Sequence, residues 1–156
     1  MFDQAAFDEY DRRCRDLAIE KLPALLEKYE PGQYDNLILY DNPDQYGIDL
    51  LGMSDTSGPV HVEVECKATD TWNSPWYGHM DILYRKKKFI GPVPTLFVAI
   101  SWDWKRFAVV KGATLEKLEP KKKWVTSRQQ MEDFYFVPPG DYKNYYVGEP
   151  TYELVK

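Results

Sequence analysis

The sequence predicts an α/β fold in which helices flank a central mixed sheet of five strands. Three observations point there. One long segment, residues 7–29, repeats its apolar residues at helical spacing. Five short apolar runs follow, at 37–40, 48–51, 60–68, 95–100 and 107–110, each of strand length. No internal repeat or linker divides the 156 residues, so the chain reads as one domain, with a core over about 7–112 and a C-terminal extension over 113–156.

The helix places Phe7, Tyr10, Cys14, Leu17, Ala18, Leu22, Leu25, Leu26 and Tyr29 on one face, with Asp3 as its cap. Pro23 lacks the N–H that would bond the Ile19 carbonyl, which predicts a bend. Pro31-Gly32 ends the helix, Leu37-Ile38-Leu39-Tyr40 makes the first strand, and Asp41-Asn42-Pro43-Asp44 turns the chain. A second strand carries Asp49 among Ile48, Leu50 and Leu51. The run over 60–68 alternates, so Val60, Val62, Val64 and Cys66 share one face of the sheet, and His61, Glu63, Glu65 and Lys67 the other. Strands rise roughly 3.3 Å per residue, so Glu65 and Lys67 lie about 7 Å apart at the backbone and their side chains can converge. His61, about 13 Å of strand from Glu65, reads as a surface histidine. Glu63 reads as a solvated edge acid, with support of a second metal or a water as the alternative.

Beyond Lys67 the chain is aromatic, with Trp72, Trp76 and Tyr77, and reads either as a base-stacking loop or as a lid on the core. Ile82, Leu83, Tyr84 and Phe89 are expected to turn inward around Arg85-Lys86-Lys87-Lys88. The runs over 95–100 and 107–110 form a hairpin, and residues 114–118 a short helix capped by Thr114 and stopped near Pro120. Further short apolar runs lie at 134–137 and 152–155.

Asp49 on one strand, a turn rich in Ser, Asp, Thr and Gly, then Glu65-x-Lys67 on the next strand resembles the PD-(D/E)xK, or restriction-endonuclease-like, nuclease superfamily, including its Holliday-junction-resolvase-like and phage-type members. Ile48 stands where the superfamily's proline precedes the aspartate. The resemblance covers roughly residues 16–112. It implies a restriction-endonuclease-like core and a Mg²⁺ ion, replaceable by Mn²⁺, held by Asp49, Glu65, the Cys66 carbonyl and Glu20 on the first helix, with Asp16 and Glu27 as alternatives to Glu20. Lys67 would orient the attacking water and stabilise charge in the transition state. Arg85 and Lys86 would contact DNA phosphates, joined by Lys88, and Trp72 would stack on the DNA.

The formal net charge of −5 argues against general tight binding to duplex DNA, but the halves differ. Residues 1–83 hold 6 Lys/Arg against 17 Asp/Glu, net −11; residues 84–156 hold 14 against 8, net +6. The acids gather where metal ligands are expected. The bases cluster at 85–88, 105–106 and 121–123, either as solvated surface or along a phosphate backbone. The two cysteines, Cys14 and Cys66, look like neither a disulfide framework nor a zinc cluster, which suits a reducing cytoplasm. No run reaches the ~18 apolar residues of a membrane span, and the acidic start is unlike a signal peptide. The expected function is structure-selective, Mg²⁺-dependent cleavage of branched or nicked DNA, as a homodimer where two strands are cut. The alternatives are a non-catalytic DNA-binding module of the same fold and a protein-interaction domain.

Overall fold

The computed structural model describes residues 3–66, 80–101, 103–125 and 128–148, apart from the side chain of Phe7. The chain begins with α1 (Gln4–Tyr29), whose first turn is capped as expected: the Asp3 side chain accepts from the Ala6 N–H at 3.1 Å. Pro23 lies inside the helix, which continues through it. Cys14, Ala18, Leu22, Leu25 and Leu26 form its buried stripe.

Among the described residues there follow β1 (Ile38–Asp41), β2 (Leu50–Ser54), β3 (Gly58–Cys66), β4 (Met80–Leu83), a 3₁₀ helix (Tyr84–Phe89), β5 (Thr95–Ile100), β6 (Arg106–Lys111), α2 (Gly112–Leu115), β7 (Lys121–Val125), β8 (Gln130–Val137) and β9 (Lys143–Tyr146). They build two sheets, a six-stranded one in the order β1-β2-β3-β5-β6-β9 and a three-stranded one in the order β4-β8-β7. The larger is mixed: β3 and β5 run parallel and every other neighbouring pair antiparallel.

The central strands explain the layering. All six residues of β5 are buried, as expected of a strand covered on both faces. Leu96, Val98 and Ile100 join Val60, Val62 and Val64 against α1. Phe97 and Ala99 face Ile82, Tyr135 and Val137 of the second sheet. The expected five-stranded sheet flanked by helices is thus corrected. Among the described residues the sheet has six strands, and only one face carries a long helix; the other carries the three-stranded sheet and the single turn of α2. The segment after Gly112 supplies β9 to the main sheet and β7 and β8 to the second, because Tyr135, Val137 and Tyr145 bring enough apolar surface to bury. The turn expected from Thr114 starts earlier, at Gly112, and no side chain caps it. Among the described residues no helix is long and apolar enough to cross a membrane.

Two glycines are required where they stand. Gly58 opens β3 at φ +71°, a left-handed conformation that costs glycine least. Gly52 lies under β1, where a Cβ would come 2.6 Å from Leu39 Cδ2 and 3.0 Å from Val60 Cγ1.

The two cysteines are joined to each other. Cys14 on the buried stripe of α1 and Cys66 on the apolar face of β3 have Cα atoms 6.0 Å apart and form a disulfide across a separation of 52 residues. This corrects the expectation that neither cysteine belongs to a disulfide framework. Sequence spacing carries no signal for a bond made where a helix crosses a strand, and the argument from free cysteines to a reducing compartment falls with it.

Candidate active site

The β2–β3 hairpin sets the site. Its register pairs Leu50 with Val62, which leaves Asp49, just before β2, beside Glu63 and Val64. The Asp49 N–H donates to Glu63 Oε1 at 3.2 Å, and the Val64 N–H donates to Asp49 Oδ2 at 2.8 Å. The faces of β3 are as the alternation predicts: Val60, Val62, Val64 and Cys66 turn to the α1 layer. Glu63 and Glu65 line a cavity on the other side with Lys86, Met80, Ile82 and Phe97.

A larger cavity, about 380 Å³, opens at this end of the sheet and gathers Asp11, Asp49, Glu63, Glu65, Arg85 and Lys86, with Cys66 and Arg128 also on its wall. Its charges are unevenly exposed. Glu65 is exposed, whereas Glu63 is only 8 % exposed, and Lys86 Nζ stands 3.2 Å from Glu63 Oε2. Burial pushes the Glu63 carboxyl up to about 7; the neighbouring Lys86 ammonium opposes the rise, and Asp49 adds to it. Asp11 is also raised, first by burial, with Arg15 opposing and Asp49 adding.

The expected residues are placed as follows. Asp49, Glu65 and Cys66 line the cavity together, and so do Arg85 and Lys86. Lys67 and Trp72 lie outside the described residues. Glu20 is not at this cavity: its side chain is 69 % exposed, it pairs with Lys21, and it lines a separate hollow with Arg13, Asp16, Leu17 and Trp104. The reason is helical phase. Glu20 is nine residues from Asp11, which at 3.6 residues per turn is half a turn out and about 13 Å along the axis. Neither alternative replaces it, since Asp16 shares the Glu20 hollow and pairs with Arg12, and Glu27 is exposed. Lys86 is engaged with Glu63. Lys88 does not line the cavity; its ammonium lies 5.1 Å from the Phe89 ring centre.

Three charged residues at the cavity were not expected there: Asp11, Glu63 as a buried group, and Arg128. For Glu63 the signal was present, since the period-two alternation puts it on the same face as Glu65. For Asp11 it was weaker: three residues before Cys14, it flanks the buried stripe. Nothing in sequence brings Arg128 here, which comes with the β7–β8 hairpin and pairs with Glu132 at 2.7 Å.

The oxygen donors of Asp49, Glu63 and Glu65 are of the hard type that suits Mg²⁺. Among the described residues, no three His, Cys, Asp or Glu side chains stand together closely enough to hold a metal ion. The hairpin sets the Asp49 backbone N–H on the Glu63 carboxylate and the Val64 N–H on the Asp49 carboxylate. No family model, curated protein or solved structure matches the chain.

Proposed function

We propose that the protein is a Mg²⁺-dependent DNA endonuclease with a restriction-endonuclease-like core, hydrolysing phosphodiester bonds in branched or nicked DNA. The observation that carries this reading is the meeting of Asp49, Glu63 and Glu65 with Arg85 and Lys86 in one cavity at the end of the β2–β3 hairpin. The order of α1, an antiparallel three-strand meander and a parallel step from β3 to β5 is compatible with such a core.

In this reading Asp49, Glu65 and the Cys66 carbonyl would hold Mg²⁺ or Mn²⁺. The ion would supply charge to hold the phosphate and acidify a water. Glu63, rather than Glu20, is the third carboxylate, positioning Asp49 through its backbone N–H. Lys67 orients the attacking water, and Arg85 receives a phosphate of the DNA. Cutting both strands of a junction requires two sites, hence a homodimer on that substrate.

The test is cleavage of end-labelled duplex, nicked, flap and four-way-junction DNA with Mg²⁺ or Mn²⁺, comparing the native chain with Asp49→Ala and Lys67→Ala. Each variant should lose at least about a hundredfold in rate while keeping its circular dichroism spectrum. Undiminished cutting by both would remove the assignment. A second reading, a non-catalytic DNA-binding module, is favoured by two observations: among the described residues no three-ligand group forms, and Lys86 is already engaged with Glu63. Binding without cleavage under either ion would select it.

A further inference from the structure

The six-stranded sheet ends in β1, and among the described residues no strand pairs with its outer side. The register decides which backbone groups lie there. The Asn42 N–H donates to the Asp49 carbonyl at 3.2 Å, one position beyond the pairing of Asp41 with Leu50. Alternate residues of an antiparallel strand turn both N–H and C=O to the same neighbour. Ile38 and Tyr40 therefore bond β2, while Leu39 and Asp41, with Leu37 just before the strand, turn theirs to the open edge. Asn36, at φ +53°, ends the extended backbone on that side.

Charged side chains on an edge strand guard it against a further strand. Among the described residues the other edge strands all carry them: Asp81 in β4, Lys121, Lys122 and Lys123 in β7, and Lys143, paired with Glu30, in β9. In β1 the one charge is Asp41, at its end, and Arg12 and Arg15 of α1 hold it. Leu37 and Leu39 pack under α1, so Ile38 and Tyr40 point to the opposite face, where they are 68 % and 50 % exposed. This edge matches a second copy of itself. Laid antiparallel about a two-fold axis at Leu39, two β1 strands oppose Leu37 with Asp41, Leu39 with Leu39 and Asp41 with Leu37, and each pair exchanges both backbone bonds. Sliding one strand by two residues either way removes one of these pairs. The same register sets Ile38 of each copy against Tyr40 of the other, an aliphatic–aromatic pair, and opposes no like charges.

We propose that the chain forms a homodimer in solution by antiparallel pairing of β1 with the β1 of a second copy, which joins the two six-stranded sheets into one. The pairing needs neither DNA nor metal and rests on no part of the nuclease reading. One short strand a side buries less than the standard interface of about 1,600 Å², so the dimer dissociates readily, with a Kd on the order of 10–100 µM. The experiment is sedimentation velocity of the full chain from about 1 µM to about 500 µM, a range that brackets that Kd. The chain should pass from monomer to dimer. Ile38→Lys/Tyr40→Lys, which opposes lysines across the seam, should weaken the dimer about tenfold or more, and Ile38→Lys/Tyr40→Glu, which opposes Lys with Glu in this register alone, should regain most of that loss. Met53→Lys, at an exposed residue of the same face but one strand inward, should leave the dimer unchanged. These positions are all exposed, and circular dichroism checks that each variant folds. A monomer throughout the range would leave the edge to a strand of another protein and overturns the proposal. So does a dimer that the double-lysine variant leaves intact, that Lys with Glu fails to recover, or that Met53→Lys weakens as much, which would place the contact on the sheet face.

Discussion

Glu63 is held between Asp49 and Lys86 with little access to water, and its protonation should be visible in folding. Its carboxyl is raised from 4.5 to about 7, so between those values the folded chain keeps a proton that the unfolded chain releases. The stabilisation is complete below about 4.5 and is lost as pH rises through about 7, amounting to about 3 kcal/mol. Glu63→Gln should flatten this fall. Urea unfolding of both forms across that pH range checks it, and parallel slopes would show that Glu63 is not held protonated. Glu30 has the opposite sign: its lowered carboxyl loses stabilisation only as pH falls below its ordinary range, so the two windows do not overlap. At this scale Asp49 and Glu65 were legible, because strand alternation and a hairpin suffice to bring them together. The depth of Glu63 was not, since it depends on Lys86, which arrives 23 residues later by way of the second sheet. Glu20 was misplaced because chain distance, and not helical phase, selected it.

Between elements, the least legible contact is the covalent one. α1 and β3 announce themselves by period and β2, β5 and β6 as short apolar runs; short connections join β2 to β3 and β5 to β6, whereas the parallel pairing of β3 with β5 spans a long connection. β9 announces itself by neither, for Lys143-Asn144-Tyr145-Tyr146 reads as polar, and only Tyr145 is buried. The Cys14–Cys66 bridge closes a loop of 52 residues and restricts the unfolded chain, which for a loop of this length stabilises by about 2–4 kcal/mol. Adding reductant, or replacing both residues in Cys14→Ala/Cys66→Val, should lower the urea midpoint accordingly, followed by tryptophan fluorescence. An unchanged midpoint would mean that the bridge adds nothing in solution.

For the whole molecule, charge asymmetry was legible and its arrangement was not. The acidic N-terminal part and basic C-terminal part are interleaved in space, so that Asp11, Asp49, Glu63 and Glu65 face Arg85, Lys86 and Arg128 across one cavity. Asp49 and Glu65 would stand against a bare phosphate there, and in the proposed reading a divalent ion would offset them. DNA binding by the uncleaving Lys67→Ala chain should therefore tighten about tenfold or more when Mg²⁺ replaces chelator at constant ionic strength, as read by fluorescence anisotropy. Equal affinity in the two buffers would remove the metal from the binding step.

The bridge has one more effect, on how the chain can be taken apart. Residues 14–66 form a closed ring that contains β1, β2, all of β3 and α1 from Cys14 onward. A machine that unravels proteins by drawing one end through a narrow pore would, on reaching Cys14 or Cys66, have to admit two strands at once. With the bridge intact, roughly 180 Å of contour, 52 residues at about 3.5 Å each, stays out of reach of any pull on the ends.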